Sequence, residues 1–306
     1  MATSTSLSGN FAGDKAAGYL YPAILAANTI GSGNITVHEN IKYKLNVRNL
    51  ATTGFLADGS DCDFSDTGNI NLSDVVLEPR SLKVNIETCK ELYRSQWESL
   101  EMRGAILGQE LPASFQEFFI QKNLELIAKD FEVAVWQGAN SGGSFEGFEA
   151  KLAANTDVID VSNSGTPLSA SNILAELAKV YAAIPNEVFV ADDFKIYVPI
   201  SVGKFYQQAL AAVGSDAGYL AQSTVGAKPL DYLGIPIVVS NGMSNNKMVA
   251  ARATDLHFGT NVLTDLTDIR VIDMTETDGS DNVRFIARMT GGTQVTNGAN
   301  IVYYVA

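Results

Sequence analysis

The feature that most constrains the fold is a run of alternating side chains beginning at Ile35. Ile35, Val37, Ile41, Tyr43, Leu45 and Val47 take turns with Thr36, His38, Asn40, Lys42, Lys44, Asn46 and Arg48, broken only by Glu39. A period of two marks a strand with one apolar and one polar face. A second, shorter alternation, Ile70 and Leu72 leading to Val75, Val76 and Leu77, follows a polar loop with Gly54, Gly59, Gly68 and the aspartates Asp58, Asp61, Asp63 and Asp66. The two runs are expected to pair as an extended antiparallel ribbon. Such a ribbon has no third layer and is marginal by itself in water. One with six apolar residues on a face must lie against something else. Ile35, Val37, Ile41, Tyr43, Leu45, Val47, Ile70 and Leu72 are therefore the candidate inter-subunit contacts.

Composition agrees with that need. The 306 residues are 46% hydrophobic and 18% charged, below the roughly 25% charge of an average soluble domain. With a mean hydropathy of +0.07, the chain has little charge to coat its surface, and some apolar surface is expected to meet other subunits. The length permits one large domain or two small ones. A net charge of −13 with no run of five Lys or Arg argues against tight nucleic-acid binding, which needs cations to displace phosphate counterions. Cys62, Cys89, His38 and His257 match no metal or redox spacing, so no cofactor is expected. Two free thiols in a reducing cytoplasm are the expectation, with a Cys62 to Cys89 disulfide as the alternative. The apolar run from Tyr19 to Ile30 contains Pro22 and Asn28 and is too short to span about 30 Å of hydrocarbon. Preceded only by Lys15, it is also a poor signal peptide. A soluble intracellular product with no membrane partner is expected.

Residues 1–17 are small and polar and read as a mobile arm. Beyond Pro79, Leu82, Val84 and Ile86 resume the alternation, and a helical stretch is expected from Glu87 to about Trp97. The strongest helix signal runs from about Pro112 to Gly138, with Ile120, Leu124, Ile127, Phe131, Ala134 and Val135 at helical spacings. This predicts a rod of about 40 Å along one face of a flat domain, its apolar side widened by Phe115, Phe118 and Phe119. After Gly142 and Gly143 a compact α/β unit follows. Ser169 or Ser171 is expected to cap a helix carrying Leu174, Leu177, Tyr181 and Ile184, and Pro185 ends it. Strands are expected at Val188 to Val190 and Lys195 to Val198, then a helix capped by Ser201 through Phe205, Leu210 and Val213. Leu233 to Val239 reads as a buried strand, and Asn241 with Gly242 as a turn. Ile269 to Met274, Val283 to Met289 and Ile301 to Val305 read as closing strands.

The order of these elements, with Leu77-Glu78-Pro79-Arg80 opening the core strand and Phe131-Glu132-Val133-Ala134-Val135-Trp136-Gln137-Gly138 closing the long helix, resembles the major capsid proteins of tailed bacteriophages. Leu233-Gly234-Ile235-Pro236-Ile237-Val238-Val239, Asp255-Leu256-His257-Phe258-Gly259-Thr260, Gly292-Thr293-Gln294-Val295 and Ile301-Val302-Tyr303-Tyr304 add local likenesses. The resemblance implies an α+β chain with an N-terminal arm over 1–30, an extension-loop β-ribbon over 31–80 and a peripheral domain over 81–146 with its spine helix at about 112–138. An α/β axial domain over 147–265 and peripheral return strands over 266–306 complete it. It further implies a structural protein, not an enzyme, that assembles with itself as hexamers and pentamers into an icosahedral virion shell in the host bacterial cytoplasm. The shell would enclose double-stranded DNA without sequence-specific binding. Portal and scaffolding proteins, with decoration proteins as a further option, are the implied partners; the stretch before the ribbon leaves no room for a helical scaffolding segment, which implies a separate scaffolding protein or none. An encapsulin-like nanocompartment shell is the alternative.

Other chemistry fits the residues less well. Ser201-Val202-Gly203-Lys204 has the Ser-x-x-Lys spacing of some acyl-transfer enzymes, but the strings that accompany it there are missing. A Ser201/Lys204 hydrolase remains the reading from a different class. The aspartate loop lacks the glycine and terminal glutamate of an EF-hand, since Leu72 occupies the position where that glutamate would stand. Asp192-Asp193 reads as a turn. Relatives in the resembled family join subunits through a lysine-to-asparagine isopeptide bond. Lys42 or Lys44 with Asn297 or Asn300 would need a desolvated neutral lysine that nothing in the sequence provides.

Overall fold

The computed structural model describes residues 9–12, 28–31, 33–53, 69–89, 114–140, 144–163, 165–212, 230–261, 268–274, 277–280 and 282–306. Its strands are β1 (Gly9–Ala12), β2 (Thr36–His38), β3 (Leu45–Thr53), β4 (Asn69–Leu77), β5 (Arg80–Cys89), β6 (Ile159–Ser162), β7 (Phe194–Pro199), β8 (Asp231–Tyr232), β9 (Ile235–Ser240), β10 (Lys247–Arg252), β11 (Leu256–Gly259), β12 (Asp268–Asp273), β13 (Asn282–Val295) and β14 (Val302–Val305). Its helices are α1 (Asn28–Gly31), α2 (Ser114–Gln137), α3 (Phe148–Ala154), α4 (Ile173–Ala183), α5 (Asn186–Phe189) and α6 (Ile200–Ala212).

Two six-stranded sheets and one two-stranded ribbon organise these elements. The first sheet runs β1-β12-β13-β11-β2, with β5 also paired to β13; the second runs β6-β14-β10-β7-β9-β8; β3 and β4 form the ribbon. β13 alternates in its first half: Val283, Phe285, Ala287 and Met289 are buried while Arg284 and Arg288 are exposed. The buried set packs with Ile120, Leu124, Ile127, Phe131 and Val135 of α2 in one core. At 24 residues, α2 is a rod of about 36 Å. Its boundary at Gly138 and the interior residues Ile120, Leu124, Ile127, Phe131 and Val135 follow the predicted spacing, with Ala134 half-buried. Pro112 and the side chains of Phe115, Phe118 and Phe119 lie outside the described residues.

The second sheet is apolar on both faces. Ile196, Val198, Met248, Ala250, Val302 and Tyr304 pack with α4 and α6 in a second core. Their neighbours Tyr197, Val249, Ala251 and Tyr303 belong to the core built on α2. A strand covered on both sides reads as a continuous apolar run, which is why β7 and β9 are recognisable in the sequence. β7 and β9 pair in parallel, as a strand-helix-strand unit through α6 requires.

Several expectations give way to the tertiary structure. The predicted strand from Ile35 breaks into β2 and β3, separated by Asn40 at φ 62°. Val188 to Val190 is not a strand; Asn186–Phe189 is a helical turn after Pro185, which has extended backbone suited to a helix start. Glu87 to Cys89 continue β5, paired with β13, and are not the start of a helix; residues 90–113 lie outside the described residues. Neither Ser169 nor Ser171 caps α4, which begins after Asn172; the Asn172 side chain instead accepts from the Ser169 N–H at 2.8 Å. Ser201 lies inside α6 and its hydroxyl donates to Asn245 Oδ1 at 2.8 Å, so it is not a cap. Within the expected mobile arm, Gly9–Ala12 pair antiparallel with β12, where an open sheet edge offers backbone partners to any extended segment. The stretch 266–306 divides between sheets, β12 and β13 in the first and β14 in the second.

The helix and the second sheet meet at one tight backbone contact. A Cβ on Gly242 would stand 2.0 Å from the Glu132 carbonyl oxygen, so only glycine fits there. Gly242→Ala is expected to cost about 1–3 kcal/mol by forcing the turn off α2. Thermal unfolding followed by circular dichroism checks it, and an unchanged midpoint would refute the close approach.

Candidate functional site

The ribbon is the feature that projects from this two-core body. Each strand has nine residues, giving a length of about 30 Å. Its antiparallel register sets Leu45 against Leu77, Val47 against Val75, Arg48 against Asp74 and Leu50 against Leu72. Opposed residues share a face, so the register sorts the apolar positions into two groups. Leu45, Val47, Val75 and Leu77 share one face; Leu77 is fully buried and the other three are half-buried. Leu77 is seated so closely that a Cβ on Gly259 would lie 2.9 Å from it. Ile70, Leu72 and Val76 lie on the opposite face and are 61%, 60% and 44% exposed. Tyr43, at the root, is 73% exposed.

The eight predicted contact residues therefore separate. Ile35 and Ile41 are buried in the chain's own interior, and Val37 packs against the core, because β2 pairs in parallel with β11. These three are corrected from contact surface to core. Leu45 and Val47 are half-buried at the root, on the face opposite Ile70 and Leu72. Tyr43, Ile70 and Leu72 remain exposed, and Val76 joins them. The pair Val75-Val76, two consecutive apolar residues at the end of an alternating run, was the signal in the sequence that both faces are apolar. Leu126 and Val133, one pair of turns apart on α2, are also exposed.

The same parallel register brings together two residues that the sequence keeps far apart. His38 lies in β2, not in the ribbon, and its Nε2 is 2.9 Å from His257 Nδ1, the rings stacked with centroids 5.1 Å apart. Burial, and then the neighbouring His38, push His257 down to about 4; burial lowers His38 as well. His257 Nε2 is 3.3 Å from Thr296 Oγ1. Thr296 also hydrogen-bonds Asp255, whose carboxyl is pushed up to about 6, chiefly by burial. Asp255 Oδ2 has no hydrogen-bond partner among the described residues.

This cluster sets a pH dependence. An acid raised in the folded state contributes stability below its unfolded pKa and loses it as pH rises through the folded value. Asp255 thus costs stability above about pH 6. Asp255→Asn is expected to melt higher than the parent chain at pH 8, with the difference vanishing near pH 4. His257 acts with opposite sign, its contribution present above about pH 6.5 and lost as pH falls toward about 4, so the variant should lose stability more steeply on acidification. Melting temperatures across pH 4–8 check this; a variant that melts lower at pH 8 would contradict it.

The remaining candidates for chemistry are engaged in structure. Ser201 donates its proton to Asn245, not to Lys204, which is exposed. Asp193 binds Arg252 at 2.9 Å and Thr254 at 2.8 Å; burial opposes its ionisation, but these bonds and the Arg252 charge hold its carboxyl below the ordinary range. That is the reverse of a raised acid in a dyad. Lys44 pairs with Glu78 at 3.0 Å, and this bond and charge hold Lys44 above its ordinary pKa, against the neutral form an isopeptide attack needs. Asn297 precedes and Asn300 ends the helical turn Gly298–Asn300 before β14, which belongs to the second sheet. The aspartate loop and Cys62 lie outside the described residues, while Cys89 is a half-buried thiol in β5. Among the described residues no group of three His, Cys, Asp or Glu is placed to hold a metal ion, and no helix is long and apolar enough to cross a membrane.

Comparison with solved structures bears on what such a body and ribbon are. The capsid of an empty GTA particle matches with TM-score 0.57 at 14% identity, over 92% of this chain and 90% of that one. A satellite phage P4 procapsid that includes the size determination protein Sid matches with TM-score 0.58 at 12% identity, over 93% and 96%. The chain has the phage capsid fold. A virus-like particle from Pyrococcus furiosus shares this fold, with TM-score 0.52 at 14% identity over 95% and 98%. No protein-family model and no curated protein matches the sequence. In the capsid fold as this chain builds it, β3 and β4 are the projecting ribbon, α2 and the first sheet form one packed unit, and the second sheet with α4 and α6 forms the other.

Proposed function

We propose that the chain is the major capsid protein of a tailed bacteriophage, a structural protein that assembles as hexamers and pentamers into a closed icosahedral head around double-stranded DNA. In this reading β3 and β4 are the extension loop, α2 is the spine helix of a peripheral domain, and the second sheet with α4 and α6 is the axial domain. The observation that carries it is the exposed apolar face of the ribbon, Ile70, Leu72 and Val76, on a body whose fold is that of phage capsids. A monomer has no use for three large exposed apolar side chains on one face of a 30 Å ribbon, interrupted only by Asp74 paired with Arg48. A neighbouring subunit covers them. The net charge of −13 accords with DNA held by confinement instead of phosphate-by-phosphate binding. Assembly would take place in the host cytoplasm, with portal, scaffolding and decoration proteins as partners.

A nanocompartment shell is the second reading, favoured by the fold shared with the Pyrococcus furiosus particle. Electron microscopy of the purified chain, with light scattering for mass, tests both. Closed shells or five- and six-membered rings are expected. Nucleic acid inside argues for a virion, a cargo enzyme inside for the compartment, and a chain that stays monomeric with its phage partners present would refute shell formation.

A further inference from the structure

One edge of the first sheet is open along a whole strand. β5 has ten residues, about 33 Å of strand, and each is in register with a residue of β13 between Gly291 and Asn282. Among the described residues no strand pairs with its other edge. That edge presents a row of backbone N–H and C=O groups to any extended segment. β5 contains no proline and no residue at positive φ that would bend it away from a partner.

The core is incomplete at the same place. Directly opposed residues share a face, so Phe285, Ala287 and Met289 of β13 stand beside Ile86, Val84 and Leu82 of β5. The three β13 side chains are fully buried. Ile86, Val84 and Leu82 pack against the same core yet are only half-buried. The apolar layer runs past β13 and stops part-way across β5, where one more strand would cover it.

The residues of β5 fit that strand to β5 itself. A two-fold axis perpendicular to the sheet keeps every side chain on its own face, so residues of equal parity oppose one another. With the axis at Asn85, Lys83 of each copy faces Glu87 of the other, Val84 faces Ile86 twice, and Asn85 faces itself. Moving the axis to Val84 or Ile86 would set Lys83 against Asn85 or Cys89 and lose both charge pairs. Within one chain Lys83 lies opposite Arg288, and like charges so placed are destabilising; a carboxylate on its open side offsets this. Glu87 can supply it, since with Arg284 bound at 2.8 Å its side chain is still 45% exposed.

We propose that β5 pairs antiparallel with β5 of a second copy about a two-fold axis at Asn85, joining two first sheets into one. The contact goes beyond the shell reading and does not need it, because two chains suffice.

Cysteine cross-linking reads the register on the full chain. In a Cys62→Ser, Cys89→Ser background, Asn85→Cys is expected to give a covalent dimer on oxidation with copper phenanthroline, since opposed Cβ atoms lie about 4.5–5.5 Å apart, close to disulfide reach. Lys83→Cys alone and Glu87→Cys alone should not cross-link, while a mixture of the two should. Lys83→Glu should weaken pairing about tenfold at low salt, and adding Glu87→Lys should restore it. Hydrogen exchange of the unsubstituted chain is a second measure, with amides of residues 80–89 expected to slow when copies associate. Failure of Asn85→Cys to cross-link in chains that still form shells overturns the pairing and leaves the shell reading intact. Cross-linking in a chain that never closes into shells upholds the pairing and refutes that reading. Amides of β5 protected throughout in the monomer, or slowed only by a different protein, overturn the pairing in favour of a cover from the same chain or from that protein.

Discussion

The double substitution Ile70→Asp, Leu72→Asp is expected to yield a folded chain that no longer assembles. Both side chains are about three-fifths exposed, so little of the chain's own stability rests on them, and the melting temperature should move by less than about 2 °C. In the assembled state each would bury most of its remaining apolar surface, worth roughly 1–2 kcal/mol. A carboxylate forced into that contact adds a desolvation cost. The sum is at least about 3 kcal/mol for every subunit contact, a hundredfold or more in Kd. Sedimentation velocity of parent and variant, beside circular dichroism, reads the two effects separately. Assembly at the parent concentration would mean that the neighbour does not cover this face. Loss of folding would mean that the ribbon packs on its own body.

Glu132→Ala should be the most damaging single change inside the chain. Glu132 is 3% exposed and its carboxyl accepts from the Thr29 N–H at 3.2 Å and the Ser240 hydroxyl at 2.9 Å, and from the Thr29 hydroxyl. Thr29 in turn accepts from Trp136 Nε1 at 2.8 Å. One side chain thus ties α1, α2 and β9 together. Truncation leaves a buried N–H and hydroxyls short of partners, each costing about 1–3 kcal/mol, and opens a cavity. A loss of about 4 kcal/mol is expected, lowering the melting temperature by roughly 10 °C. Glu132→Gln keeps the shape and one acceptor and should lose about half as much. An unchanged midpoint for the alanine variant would remove Glu132 from the fold's support.

Neither result could have been anticipated from the sequence in full. Glu132 sits in the string that carries the family likeness, yet nothing in its neighbours announces a buried acid, because its partners Thr29 and Ser240 are 103 and 108 residues away. The ribbon was legible as a ribbon, but not which residues face outward. Alternation from Ile35 to Val47 looks like one face of one strand. Asn40, in the left-handed region, turns the chain between Ile35 and Leu45, so the first part sinks into the body while the second enters the ribbon. The register then sends Ile70 and Leu72 to the face opposite Leu45 and Val47. A periodicity of two reports that a strand has faces. It carries no information on which face meets which layer, since that is set by pairing with distant strands.

The sequence by itself determined what depends on neighbours within a few turns or residues. The stripe of α2 and its end at Gly138, the continuous apolar runs of β7 and β9, and the order of elements that resembles a capsid protein all belong here. These follow from local periodicity and backbone preference, which act over short separations. The tertiary structure alone decided what depends on long-range pairing. It stacked His38 on His257, drew Gly9–Ala12 onto the edge of β12, sent β14 to the second sheet while β13 stayed in the first, and turned Val188 to Val190 from an apparent strand into a helical turn. A strand exists only where another strand offers hydrogen-bonding partners. That offer comes from residues tens to hundreds of positions away, where no local pattern can record it.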